Sequence, residues 1–304
     1  MKGNNFNENT RVQVPAAMHL CRLGYTYLDD IPEYDKRTNI ITPIFKQSIK
    51  KLNPTMTDLE ISQLLERIVS EAKNDNLGRE FYEMLSSNSG VKLIDYEDPY
   101  QNSWHITTEF TCEDEDSGDN FRPDITCFIN GMPLAFIEVK KPNNREGILA
   151  ERERINRRMR NKAFRPFLNI TQLMIFSNNQ NYDNENRVPI QGAFYSCTSK
   201  TKAFFNVFRE QDQSFVANVH LHPLEEGVEQ RILRHRNCIA VKNLPEYETN
   251  QARTTPTNSI LTSMLSFERF LFLLRYGFAY VDRTIELEDG TKAKRLEKHV
   301  MRYQ

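Results

Sequence analysis

Arg122-Pro123-Asp124-Ile125-Thr126-Cys127-Phe128-Ile129-Asn130-Gly131-Met132-Pro133-Leu134-Ala135-Phe136-Ile137-Glu138-Val139-Lys140-Lys141-Pro142-Asn143 is the stretch on which the reading of this chain turns. Apolar residues alternate around Ile125, Cys127 and Ile129, Asn130-Gly131 is a hairpin turn signal, and Leu134 to Val139 is a second apolar run. The pattern predicts two antiparallel strands. Side chains alternate faces with a period of two, so Glu138 and Lys140 share one face and Val139 takes the other. Asp124 has to join that face if the three are to act together. A plain two-residue loop at Asn130-Gly131 pairs residues whose numbers sum to 261, which sets Asp124 with Ile137 and leaves Glu138 on the opposite side. A shared site therefore requires an odd loop, most simply three residues with Gly131 left-handed, or a bulge inside a strand.

Two carboxylates and a lysine on one face suit a divalent metal beside a phosphodiester. Mg²⁺ takes oxygen ligands in an octahedron and keeps several waters, so Asp124, Glu138 and the backbone carbonyl of Val139 form a plausible protein share, with Mn²⁺ as a substitute ion. The ion acidifies a bound water, and an ammonium such as Lys140 orients it or offsets charge on phosphorus. The plainer reading is a surface hairpin with an ordinary Glu/Lys cross-strand pair, and these three residues alone leave both open.

The whole string from Arg122 to Asn143 closely resembles the nuclease signature of the R subunit of type I restriction enzymes, the restriction and translocation subunit. Gln13 to Tyr25, ending in Leu23-Gly24-Tyr25, resembles the first helix of that family, and Gln172-Leu173-Met174-Ile175-Phe176-Ser177-Asn178 resembles its following core strand. The resemblance implies an α/β chain with the PD-(D/E)xK nuclease fold, a mixed β-sheet flanked by helices. It also implies Asp124, Glu138 and Lys140 as the catalytic set, and cleavage of duplex DNA to 5′-phosphate and 3′-hydroxyl ends. Two departures stand out. Gln13 occupies the place of a helix glutamate in many relatives, as an uncharged outer helper for which Glu8 is the alternative. Arg154 and Arg158 occupy the places of a Gln-x-x-x-Tyr pair.

Ile148, Ile155, Met159 and Ala163 recur at helical spacing, and Arg154, Arg158 and Arg165 fall along one edge of that helix, with Lys141 just ahead of it. From Arg145 to Arg165 eight basic residues face three acidic ones. Such a helix either contacts DNA phosphates or is a solvated face with internal pairs such as Glu153 with Arg157. The chain of 304 residues has net charge −1, so it is no globally basic DNA binder and any such contact is local. Cysteines 21, 112, 127, 197 and 238 show no Cys-x-x-Cys spacing and read as reduced core thiols. His220 and His222 read as surface, and the acidic loop from Glu113 to Asp119 as a solvated connection rather than a second metal site. No apolar run is long enough to span a bilayer, and Met1 to Asn9 is no signal peptide, which points to the cytoplasm.

Residues 42 to 88 read as helices with Leu59, Leu64, Leu65, Ile68 and Val69 as the clearest apolar face. Strands are expected at 91–95, 104–112 and 192–197, with Trp104 in the core, and Lys200 to Phe208 either starts a helix or returns the chain across the sheet. Pro245 to Asn258 has linker composition, and Ser259 to Arg275 reads as one strongly apolar helix that packs on the core or docks elsewhere. We therefore expect an endonuclease domain over 1–245 and a linker with a helical connector over 246–304. In the resembling family a motor driven by ATP follows, and Arg302-Tyr303-Gln304 resembles its lead-in. No Gly-x-x-x-x-Gly-Lys-Ser/Thr loop occurs, so the chain is expected to be a fragment holding the cutter and not the engine, with ATP serving only that engine. Lys292, Lys294, Arg295, Lys298 and Arg302 either contact DNA or the motor, or are simply solvated. The expected function is Mg²⁺-dependent cleavage of unmodified duplex DNA alongside methyltransferase and specificity subunits. A catalytically silent DNA-binding or docking module, and a stand-alone nuclease of a related repair family, remain as alternatives.

Overall fold

The computed structural model describes residues 7–87, 90–113, 118, 120–144, 147–182, 191–200, 202–286 and 290–302. The N-terminal helix opens with a wide π turn, Asn9–Gln13, and continues as α1, Val14–Arg22. Pro15 lacks the N–H that a regular turn would use, and the wide turn precedes it directly. Then come β1 Thr26–Tyr27, α2 Thr42–Leu52, α3 Asp58–Glu71, α4 Arg79–Ser86, β2 Trp104–Thr108, β3 Ile125–Ile129, β4 Met132–Val139, α5 Gly147–Arg160, α6 Arg165–Ile170 and β5 Leu173–Ser177. The chain continues through β6 Ala193–Ser196, β7 Asn206–Val207, α7 Gln213–Asn218, α8 Glu226–His235, α9 Pro256–Leu265 and α10 Phe267–Tyr276, and closes with the hairpin β8 Phe278–Glu286 and β9 Lys292–Val300.

Strands β1 to β7 form one sheet in sequence order, parallel at β1/β2 and β4/β5 and antiparallel elsewhere. Ile125, Cys127, Ile137, Leu173 and Ile175 face the larger core with α1, α3 and α9, whereas Phe136, Met174 and Phe176 face the smaller core with Ile148 and Ile155 of α5. The central strands are therefore buried on both faces, as a sheet with helices on each side requires. This is the mixed α/β architecture of a PD-(D/E)xK-like nuclease fold.

Several sequence expectations shift. Residues 91–95 form no strand, although Leu93 and Ile94 are buried, because side chains satisfy that backbone: Asn53 brackets Lys92 and Asn130 Nδ2 donates to the Leu93 carbonyl. The strand from 104 stops at Thr108, where Glu109 takes a positive φ of 56°. Among the described residues, Lys200 to Phe208 includes a returning edge strand, β7, and no helix. The expected single helix over 259–275 is broken at Ser266, which is extended (ψ 140°), and Phe267 beyond it stacks on Trp104 at 4.0 Å. Helix α9 packs on the core, with Thr262 Oγ1 2.7 Å from His19 Nε2 and the Leu265 carbonyl accepting from Tyr25 Oη at 2.9 Å. The stretch with linker composition is likewise held to the first helix, through Arg11 to Glu246 and Arg22 to Gln251. The hairpin β8/β9 has only weak alternation in the sequence and stands as an unanticipated element.

Candidate active site

The parity conflict is resolved by a bulge. Asn130 (φ 52°) and Gly131 (φ 78°) are both left-handed, as a two-residue turn of the hairpin type needs, and next to that turn pairing follows the sum of 261, with Ile129 opposite Met132 and Phe128 opposite Pro133. The register then shifts between Phe128 and Cys127, leaving Leu134 as the extra residue, and Cys127 pairs with Ala135 and Ile125 with Ile137. That one-residue shift brings Asp124, just before β3, level with Glu138. The Asp124 carbonyl accepts from Glu109 N at 3.1 Å and from Gln13 Nε2 at 2.7 Å, and its Oδ2 accepts from Val139 N at 2.7 Å.

Lys140 extends the β4/β5 ladder through its N–H to the Ser177 carbonyl at 2.7 Å. Its Nζ donates to the Val139 carbonyl at 2.7 Å and to Glu8 Oε1 at 3.3 Å, and lies 3.6 Å from Glu151 Oε2 and 3.9 Å from Asp124 Oδ2. Above it, α5 contributes Glu151, whose carboxylate is wholly buried and pairs with Arg154 at 2.8 Å and Arg158 at 3.5 Å. Arg158 donates to Glu138 Oε1 at 3.1 Å and lies 4.0 Å from the Phe121 ring centre. Burial pushes the Asp124 carboxyl up to about 6, although Lys140 and the Val139 N–H work against it. Burial, with Asp124 and Glu151 nearby, lifts Glu138 well above the usual carboxylate range against the pull of Arg158. Burial would lower Lys140, but the surrounding carboxylates, Asp124 first, outweigh it and hold the ammonium above its ordinary value.

Among the described residues no three His, Cys, Asp or Glu side chains are grouped as an ion-holding set. The donors at hand are oxygens only, two carboxylates from Asp124 and Glu138 and the Val139 carbonyl, which suit a hard cation that keeps water and phosphate in its remaining positions. Gln13 reaches the cluster with both ends of its amide engaged, Nε2 on the Asp124 carbonyl and Oε1 accepting from Arg236 at 3.1 Å. Arg236 also bonds Asn9 Oδ1 at 3.0 Å and pairs with Glu109, so a second polar network supports Asp124 from behind.

The proposed phosphate contacts separate. Arg158 is drawn into the acids and Arg154 stays half-exposed beside Glu151. Lys141 is half-buried just beyond β4. Arg165 does not lie on the same helix. α5 ends at Arg160, Asn161 Oδ1 caps a new turn by accepting from Ala163 N at 2.9 Å, and Arg165 starts α6, 3.9 Å from Asp75. Glu151 was not singled out from the sequence, yet it lies three residues before Arg154 and seven before Arg158, on the same helical face. Glu109 and Arg236 carried no such signal, because only the fold brings them to Asp124. His220 and His222 are exposed, with ring centres 4.8 Å apart. Of the acidic loop, Glu113 pairs with Lys36 at 3.5 Å, while Asp114 to Ser117 and Asp119 lie outside the described residues, as do Arg145, Tyr303 and Gln304.

Comparison with known proteins bears on this arrangement. A family model described as type I restriction enzyme R protein N terminus matches residues 5–184, more than half of the chain. Two Methanocaldococcus jannaschii proteins named as candidate endonuclease subunits of type I restriction enzymes, MjaIXP and MjaVIIIP, are similar to it. The first is 31% identical over 164 residues, covering 46% of this chain and 16% of the relative. The second is 25% identical over 137 residues, covering 40% and 13%. The chain thus spans less than a fifth of the length of the curated relatives it matches.

Proposed function

Since the chain belongs to the family of the type I restriction enzyme R protein N terminus, we propose that it is the Mg²⁺-dependent endonuclease domain of such an enzyme, hydrolysing phosphodiester bonds of unmodified duplex DNA. The observation that carries this reading is the bulge at Leu134, which levels Asp124 with Glu138 and Lys140 at one end of a buried hairpin. A fold built only for stability gains little from gathering carboxylates there. Asp124, Glu138 and the Val139 carbonyl would hold the ion, which supplies Lewis acidity and an acidified water when bound.

The chain's own residues do the rest. Lys140, kept protonated by its carboxylate neighbours, orients the attacking water or offsets charge on phosphorus. Glu151 and Glu8 hold its Nζ, and Arg158 keeps Glu138 supplied with an opposite charge. Gln13, tied to the Asp124 carbonyl, fixes the backbone from which that carboxylate projects. Translocation by an ATP-driven motor and assembly with methyltransferase and specificity subunits are part of the same proposal and rest on the family alone. The competing reading, a silent DNA-binding or docking module, draws on the ion pair of Arg158 with Glu138 and on the engaged Gln13 amide.

The test pairs plasmid cleavage with ATP hydrolysis in the full-length subunit assembled with its modification partners, wild type against Lys140→Ala. Cleavage should fall by about 10²–10³-fold while ATP hydrolysis stays, and calorimetry should show Mn²⁺ binding that Asp124→Ala removes. Unchanged cleavage would overturn the nuclease reading in favour of docking.

A further inference from the structure

The groove at the far end of α5 from the acids is a second basic surface. Ser196 pairs with Met174 near the start of β5, so the loop after β6 lies at the turn end of the sheet, and α5 with its 14 residues covers the intervening about 20 Å. Two adjoining cavities meet there. One of about 220 Å³ is lined by Arg160, Arg165 and Lys200 with Asp75, and one of about 490 Å³ by Arg283, Arg295 and Arg302 with Glu297, which pairs with Arg295 at 2.6 Å and Arg283 at 3.6 Å. Thr198 and Ser199 line both.

Charge is poorly balanced in the first cavity. Asp75 is the one acid lining it, its side chain 64% exposed, 3.9 Å from Arg165 and 3.6 Å from Lys200, whose Nζ also donates to the Asp75 carbonyl at 2.9 Å, while the side chains of Arg160 and Lys200 reach solvent. Exposed pairs at such distances contribute little. Thr198 is only 3% exposed, and its Oγ1 has no hydrogen-bond partner among the described residues. A buried hydroxyl without a partner is costly, and a phosphate oxygen at the groove would satisfy it. Phe204, 64% exposed, borders the second cavity with an open ring face.

We propose that this groove binds the sugar-phosphate backbone of duplex DNA, as an exosite that grips the substrate away from the acids. The proposal rests on the nuclease reading for its choice of nucleic acid. Two contiguous cavities carrying Arg160, Arg165 and Lys200 on one side and Arg302 on the other suit a periodic polyanion better than one small anion, and about 20 Å along α5 corresponds to about six base pairs of duplex. Arg165 then contacts phosphate together with Arg160 and Lys200, and not with the arginines over the active site.

The experiment measures anisotropy of a labelled 20-base-pair duplex with the 304-residue chain, without divalent metal, across a salt series. Arg160→Gln/Arg165→Gln/Lys200→Gln should lower the slope of log affinity against log salt by about 2–3, since each lost phosphate contact removes about 0.9. Thr198→Val should weaken binding several-fold at constant slope. Arg160→Gln and Lys200→Gln, singly and at exposed positions, should each lower the slope by about 1, which keeps the test open if the triple variant fails to fold. An unchanged slope in a variant with an unchanged urea midpoint overturns the proposal. A lowered slope without plasmid cleavage by wild type would sink the nuclease reading alone. Cleavage with an unchanged slope would sink the exosite alone.

Discussion

The two ends of the central hairpin each have a buried lysine nearby, and the two lysines live in opposite surroundings. Lys140, 8% exposed, follows β4 at the acid end among Asp124, Glu138, Glu151 and Glu8, and those charges hold it above its ordinary pKa against the effect of burial. Lys298, 4% exposed, sits on β9 at the turn end. Its Nζ donates to Gln172 Oε1 at 2.8 Å, and the rings of Phe278 and Tyr280 are centred 5.3 and 5.5 Å away. Burial pushes it down to about 8. Nearly equal burial of one residue type thus leaves the two ammonium groups shifted in opposite directions, because the neighbours decide how far the buried charge is compensated. The acid end keeps an ionic cluster that apolar packing could replace, as the proposed nuclease site would require. Beneath its basic surface the turn end buries one cation, Lys298, satisfied by the Gln172 amide.

The strongest way to break that contrast is Glu151→Ala. This wholly buried carboxylate is shared by Lys140, Arg154 and Arg158, so its loss leaves buried cations short of countercharge. We expect about 3–5 kcal/mol of lost stability by urea unfolding, and a smaller loss for Glu151→Gln, which keeps volume and one acceptor. A Glu151→Ala protein as stable as wild type would show that the acid cluster is no coupled network.

Gly131→Ala tests whether the turn end controls the acid end. Gly131 has φ 78°, and a Cβ there would come within 2.7 Å of the Ile41 carbonyl oxygen and the Phe45 nitrogen, both backbone. Strain of this kind costs about 1–3 kcal/mol. Because the bulge, and not the turn, sets the level of Asp124 with Glu138, Mn²⁺ affinity should survive the loss of stability. A parallel fall in Mn²⁺ affinity would mean that the two ends share one register.

Much of this was legible in the sequence. The period-two pattern around Ile125 and Ile137 and the Asn130-Gly131 signal yield the hairpin, and parity, if Asp124 is to share a face with Glu138 and Lys140, calls for an irregularity of the kind that appears at Leu134. Parity could not choose between an odd loop and a bulge, because Leu134 is apolar on either face. The long apolar run at 259–275 hid its break at Ser266, since both α9 and α10 bury apolar residues, Leu261 and Leu265 before it and Phe270, Leu271 and Leu274 after it. Arg236 and Glu109 were invisible because their pairing spans 127 residues and depends on where α8 lands. The weak alternation of β8 follows from its mostly exposed residues, and that of β9 from its mostly half-buried or exposed ones, where no core selects the pattern.

The smallest expected effect is the sharpest test of the contrast between the lysines. Lys298 titrates at about 8 when folded against an ordinary 10.5, so the folded chain releases this proton before the unfolded chain does. Stability from this group therefore rises with pH between about 8 and 10.5, and below that window its cost is fully present. That displacement corresponds to about 3 kcal/mol. Lys298→Met removes the cost but leaves Gln172 Oε1 without its donor, a loss of about 1–2 kcal/mol, so the net gain at pH 7 is about 1–2 kcal/mol. The variant's stability should also lack the rise from pH 8 to 10 that wild type should show in urea unfolding. Parallel curves would mean that Lys298 keeps its charge at no cost, and the turn end would then hold a second ionic site.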